Sequence, residues 1–205
     1  MANQSNRHYD GPVLVRAADI SLQIYPAEIL RLKAKAIDPS QEVRDVAARM
    51  FEIMREFKGI GLAAPQIGLS WRMFVANVHP HPDDGEDEKD SSDDYEGLPV
   101  YSDGPKVYIN PVISAPAGEV EDYEEGCLSL PDIRGKVFRP PMVTITAFDE
   151  HGKKFQERGG GLLARCWQHE YDHLDGVLIL DRMTQISRLK NRSAVRDLEK
   201  AANKR

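Results

Sequence analysis

One five-residue stretch constrains this chain more than any other: His169-Glu170-Tyr171-Asp172-His173. Two imidazoles four residues apart share a face on a helix, where successive turns stack them. There they can grip one metal ion while the intervening glutamate faces a water at that ion. The flanks agree with a helix: Gly159-Gly160-Gly161 precedes it, Leu162, Leu163, Cys166 and Leu174 lie along it, and Gly176 ends it. A Leu-rich face predicts burial, and idle His and Glu side chains would be costly to desolvate there. The helix is therefore expected to carry the chemistry.

A catalytic site of this kind takes three protein ligands and keeps one position open. Downstream of His173 the candidates are poor. Ile179 stands where a metzincin has its next histidine, no Met-turn follows, and the remaining glutamate is Glu199, in a basic tail. Upstream, Cys127 in Glu125-Gly126-Cys127-Leu128-Ser129-Leu130-Pro131 offers a soft thiolate between a small residue and a turn-forming proline. Taken alone, it reads equally well as a small buried hydrophobe. Cys166, one turn ahead of His169, reads as core packing or as the wall of a pocket.

Composition limits what surrounds this helix. With 205 residues, 41% hydrophobic and 29% charged, the chain reads as a single globular domain over residues 1–205. Two cysteines cannot build a disulfide framework, which suits a reducing compartment. Apolar runs such as Gly176-Val177-Leu178-Ile179-Leu180 fall well short of the ~18 residues of a membrane span. The first residues show neither a secretory signal nor an Arg-rich amphipathic start, so a cytoplasmic protein is expected. The net charge is −6, and nine acidic residues against one lysine between Asp83 and Glu96 exceed it on their own. After Ile186, seven basic residues against two acidic ones make the tail cationic.

Apolar spacing predicts a helix from about Pro39 to Phe57, with Asp38 as its N-cap and Val43, Val46, Ala47, Met50, Ile53, Met54 and Phe57 on one face. Strands are predicted over Met73 to Val78, Lys106 to Ile113 and Met142 to Phe148, the last followed by a hairpin turn at Asp149-Glu150-His151-Gly152. Residues 79–105, acidic and rich in Pro, Ser and Gly, read as a mobile surface loop that cannot bury enough apolar area to order itself.

A third segment, Gly59-Ile60-Gly61-Leu62-Ala63-Ala64-Pro65-Gln66-Ile67-Gly68, leaves the backbone bare enough for an extended ligand to hydrogen-bond to it. Gln66 would supply one amide for a developing oxyanion. Standing alone, the segment would be a helix-to-strand connector. Taken together and in this order, GIGLAAPQ, EGCLS and QHEYDH strongly resemble the signature motifs of the peptide deformylases. The likeness runs from about Tyr25 to Met183, interrupted near residues 79–105 by what looks like an insertion relative to compact bacterial members.

The resemblance implies an α+β fold with antiparallel β-sheets wrapped around a central HExxH helix, an additional helix in the N-terminal half and a C-terminal helix. It implies a metal-dependent enzyme that removes the formyl group from the N-formylmethionine of nascent chains. On matching positions, Cys127, His169 and His173 would bind the metal, Glu170 would be general base and acid, and Gln66 with the Leu128 N–H would form the oxyanion site. Ile60, Gly61 and Arg134 would align the peptide, and Tyr123 and Cys166 would border the methionine pocket; Tyr123 and Arg165 stand where some relatives carry aliphatic residues. Ferrous iron is implied as the active ion. Zinc binds such an N/S donor set more tightly, so zinc, nickel or cobalt can replace it in a purified sample. Glu125, Arg139 and Asp172 are expected to form an ion network behind the metal. The basic segment 188–205 is expected to be a surface helix or tail able to meet ribosomal RNA, with no membrane partner. On the residues alone, a zinc endopeptidase and a non-catalytic ribosome-associated protein remain as rivals, and the intact Glu170 argues against the second.

Overall fold

The computed structural model describes residues 20–80 and 91–204. In chain order its regular elements are α1 (Gln41–Glu56), β1 (Gly61–Ala63), β2 (Met73–Ala76), β3 (Lys106–Ala117), β4 (Glu121–Cys127), β5 (Leu130–Arg139), β6 (Met142–Phe148) and β7 (Lys154–Gly160). They continue with α2 (Gly161–Leu174), α3 (Ile179–Arg182), α4 (Gln185–Lys190) and α5 (Arg192–Ala202). One antiparallel sheet has the strand order β1-β2-β3-β6-β7, and β4 pairs with β5 in a separate antiparallel hairpin. The expected α+β arrangement is what is found. Among the described residues no helix is long and apolar enough to cross a membrane.

The first helix starts at Gln41 because Ser40, rather than Asp38, caps it: Ser40 Oγ accepts the Val43 N–H at 3.2 Å. Its face from Val43 to Met54 is buried against Leu62, Ile67, Met73, Val75, Val107 and Ile109, as the spacing predicts. Phe57 departs from that face. The helix ends before it, the chain turns at Lys58 with φ of 55°, and the ring is left 48% exposed.

Helix α2 packs Leu163, Ala164 and Trp167 onto Phe74, Tyr108, Val143, Ile145 and Ala147 of the five-stranded sheet. Trp167 Nε1–H donates to Tyr108 Oη at 3.0 Å, so the one polar atom of a fully buried indole is satisfied. The N-cap of the helix is Gly160, which has no side chain to cap it. The carbonyls of Pro99 and Val100 do so instead, accepting from Gly160 N–H and Leu163 N–H, each at 3.0 Å. Tyr95 lies so close that a Cβ on Gly160 would sit 2.5 Å from its Cβ. Residues 91–105, expected as part of a surface loop, include a short 3-10 turn, bury Val100 and meet the start of α2. Most of the acidic run, residues 81–90, lies outside the described residues.

The basic C-terminal segment forms α4 and α5 rather than one helix. Ala194, Val195 and Leu198 dock on a cluster of Leu130, Ile133, Val137 and Met183, while Ile186 and Leu189 stay 68% and 67% exposed. Tyr25 Oη donates to Glu199 at 3.0 Å and ties α5 to the N-terminal segment.

Candidate metal centre and active site

Three elements converge on one point. Helix α2 presents His169, Glu170 and His173, the turn between β4 and β5 presents Cys127 and Leu128, and β1 with the 3-10 turn Ala64–Ile67 presents Gly61 and Gln66. One ligand atom from each of Cys127, His169 and His173 lies within 4.8 Å of the other two, with Cys127 Sγ 3.3 Å from His173 Nε2. One sulfur and two imidazole nitrogens brought this close together are a donor set that suits a divalent metal. Two buried polar atoms at the same place, Glu170 Oε2 and His173 Nδ1, have no hydrogen-bond partner among the described residues. A water held by a cation would meet Glu170 Oε2, and the donor set of one thiol and two imidazoles suits such an ion, so the residues fit a divalent metal.

His169 is aimed from behind. Its Nδ1 lies 3.0 Å from Glu125 Oε2, and because a carboxylate only accepts, Nδ1 carries a proton and Nε2 is the nitrogen left for a metal. Burial opposes the charge of Glu125, yet hydrogen bonds from His169 and Arg139 outweigh it and hold its carboxyl well below the usual range. Arg139 spans the expected network: Nε reaches Glu125 Oε1 at 2.7 Å, and Nη1 reaches Asp172 Oδ2 at 2.8 Å. Two further arginines join it. Arg165 Nη1 bonds Glu125 Oε1 at 3.0 Å, and Arg182 Nη2 bonds Asp172 Oδ1 at 2.7 Å. The signal for Arg165 was an arginine on a buried helix face, which demands a buried partner.

Gln66, 1% exposed, is locked by its neighbours. Its Oε1 accepts the Ala63 N–H at 2.8 Å, which turns the amide nitrogen toward Ser129 Oγ at 3.3 Å and Cys127 Sγ at 3.6 Å. Gly61 abuts the glutamate, for a Cβ there would lie 2.5 Å from Glu170 Oε1 and 2.9 Å from Cys166 Sγ. Cys166 is buried, its thiol donating weakly to the Ile60 carbonyl at 3.7 Å, and burial pushes its pKa up, away from the thiolate. The Ile60 carbonyl also accepts from Asn77 N–H at 2.9 Å. Tyr123 and Arg134 stand at the margin: Tyr123 is 48% exposed with its ring over Arg165, and Arg134, exposed, lies across the ladder from Gly126.

Burial raises the Glu170 pKa from 4.5 to about 7, against the lowering pull of His169 and Arg139. A group whose folded pKa is raised contributes stability that is complete below its unfolded pKa and lost as pH rises through the folded one. In the metal-free chain that window runs from about pH 4.5 to 7. Chelated Glu170→Gln, which cannot ionise, is therefore expected to gain ~2–3 kcal/mol on the wild type between pH 4.5 and pH 8. Urea unfolding at both pH values measures it, and an unchanged difference would refute the shift.

The comparisons with known proteins fall in one place. The family profile described as polypeptide deformylase matches residues 20–189. The chain belongs to the polypeptide deformylase family. Peptide deformylase from Christiangramia forsetii is 39% identical over 178 residues, which is 86% of this chain and 87% of that protein. Peptide deformylase from Rhizorhabdus wittichii is 41% identical over 171 residues, 83% of this chain and 86% of its own length. Among solved structures, the Plasmodium falciparum enzyme superposes with a TM-score of 0.76 at 34% identity, covering 89% of this chain and 97% of that one. A plant peptide deformylase superposes at 0.77 and 35% identity, covering 91% and 92%. The chain is accordingly an enzyme of a metal-dependent family that removes the N-formyl group from nascent peptides.

Proposed function

We propose that Cys127, His169 and His173 hold the metal and that Glu170 moves the proton in the deformylation of N-formylmethionyl peptides. The observation that carries this reading is the buried Glu170 carboxyl on the same helix face as two imidazoles facing a thiol. A divalent ion held by these three residues would lower the pKa of a water and polarise the formyl oxygen. Glu170 takes that water's proton on its unpartnered Oε2 and later returns it to the leaving amine. Burial pushes its carboxyl up from the usual range, which suits a group that must both accept and give a proton. Gln66 Nε2 and the Leu128 N–H donate to the oxyanion as it develops. Gly61 and Ile60 on the β1 side and Arg134 on β5 align the peptide, with Cys166 and Tyr123 bordering the methionine side chain. Metal analysis alongside formate release from formyl-Met-Ala-Ser tests the whole, and casein cleavage without formate release would favour the endopeptidase reading.

Ferrous iron is the active ion in this proposal, with zinc, nickel or cobalt able to replace it. Cys127 is half-buried beside the open position, so an iron-loaded enzyme is expected to oxidise there. Aerobic inactivation should be several-fold slower with nickel, and equal half-lives for the two forms would count against it.

The enzyme is proposed to work in the cytoplasm and to meet ribosomal RNA through α4 and α5. Lys190, Arg192 and Arg196 are exposed there, while the apolar side of α5 is docked. Because α5 packs onto the core, reversing charge is a cleaner test than deletion. The triple change Lys190→Glu, Arg192→Glu and Arg196→Glu is expected to lower co-sedimentation with ribosomes, most at low salt, and to leave formyl-peptide turnover within about twofold. Equal co-sedimentation would make the segment a solvated end.

A further inference from the structure

Glu125 receives four charge-assisted hydrogen bonds on its two oxygens. Oε1 accepts from Arg139 Nε at 2.7 Å and Arg165 Nη1 at 3.0 Å. Oε2 accepts from Arg139 Nη2 at 3.0 Å and His169 Nδ1 at 3.0 Å. Arg139 grips both oxygens, and Arg165 adds a second anchor on Oε1 that ties the carboxylate to α2. The Arg165 guanidinium is itself fixed by the carbonyls of Val137 at 3.1 Å and Glu121 at 3.4 Å, and the Tyr123 ring covers it with its centroid at 5.1 Å. The side chain is 7% exposed, too enclosed to be spent on a substrate contact. It sits on α2 one turn ahead of His169, so the helix that presents the ligand also carries the group that holds the ligand's partner.

We propose that Arg165 is a positioning residue for His169: by bonding Glu125 Oε1 from its fixed place on α2 it holds the carboxylate where Oε2 meets His169 Nδ1–H, and so keeps the ring with Nε2 turned toward Cys127 and His173. This rests on reading Cys127, His169 and His173 as a metal site. A methionine at position 165 fills the volume but leaves Oε1 to Arg139 alone, so the carboxylate is less firmly placed and can shift away from His169. A lysine keeps the charge but cannot bond Oε1 and two carbonyls at once as a planar fork does. Partners behind a metal-bound histidine typically change metal affinity by 10–100-fold when lost.

The test compares cobalt-loaded wild type, Arg165→Met and Arg165→Lys by visible absorption, by rate of metal loss to a chelator, and by kcat and KM. Both variants are expected to show altered cobalt d–d bands and about tenfold faster metal loss, with kcat lowered and KM within about twofold. Arg165→Lys retains a buried cation and decides the matter if the methionine variant does not fold. A folded variant with the wild-type spectrum and release rate overturns the proposal while leaving the metal site intact. A wild type that takes up no cobalt overturns the metal reading and this inference with it.

Discussion

Glu170→Gln is expected to keep one metal per chain and to lose about 10²- to 10⁴-fold in kcat, the range that a single positioned acid-base group contributes. Glutamine has the glutamate's shape, so the packing of the buried side chain against Gly61 and Cys166 is retained. What it lacks is a group that can accept a proton and give it back. The proposed ligands His169 and His173 lie one residue before and three residues after it, and their side chains are untouched. Formate release from formyl-Met-Ala-Ser, with metal analysis on the same sample, separates the two effects. A variant with more than about a tenth of the wild-type kcat would remove Glu170 from the proton's path.

Gly61→Ala is the second large effect, and it reaches the same carboxylate from the opposite wall. The added methyl would stand 2.5 Å from Glu170 Oε1 and 2.9 Å from both Glu170 Cδ and Cys166 Sγ, closer than carbon tolerates. Gly61 is pinned in the ladder opposite Ala76, so the strand cannot simply retreat, and Glu170 must move. Displacement of a reacting group by about 1 Å can cost 10²-fold, and overpacking a core typically costs about 1–3 kcal/mol of stability. A fall in kcat of about 10²-fold with metal content unchanged is expected. Gly59→Ala is the control: its methyl would meet Leu128 Cδ1 at 2.8 Å, the far end of a side chain that can turn aside. If Gly61→Ala stays within threefold of wild type while folded, the close approach of β1 to Glu170 plays no part in turnover.

Some of this protein is decided by local sequence. Helix α2 begins at Gly161 and ends before Gly176, and strand β6 covers Met142 to Phe148, where the pattern in the residues placed them. In both, a period set by backbone geometry repeats within a few residues. The pairing of His169 with His173 is of the same kind, since any helix stacks positions four apart. Residues Cys127 and Gln66 could be connected to these histidines only through the likeness of three motifs to a known family. No periodicity links positions so far apart in the chain.

The tertiary structure decided the rest. Strand β4 carries none of the apolar alternation that announces a strand, because Glu121, Asp122, Tyr123 and Glu124 are exposed on both its faces, although its partner β5 alternates buried and exposed residues from Ile133 to Arg139. Their register is set by pairing with each other. The cap on α2 comes from Pro99 and Val100, in a segment whose composition argues for disorder; an orphan amide accepts whichever carbonyl the fold brings to it. Arg165 looked like a variation in a methionine pocket. Its place in the network around Glu125 emerges only when β4, β5 and α2 meet, because a buried charge is settled by the partners that surround it in space, and sequence order does not determine which those are.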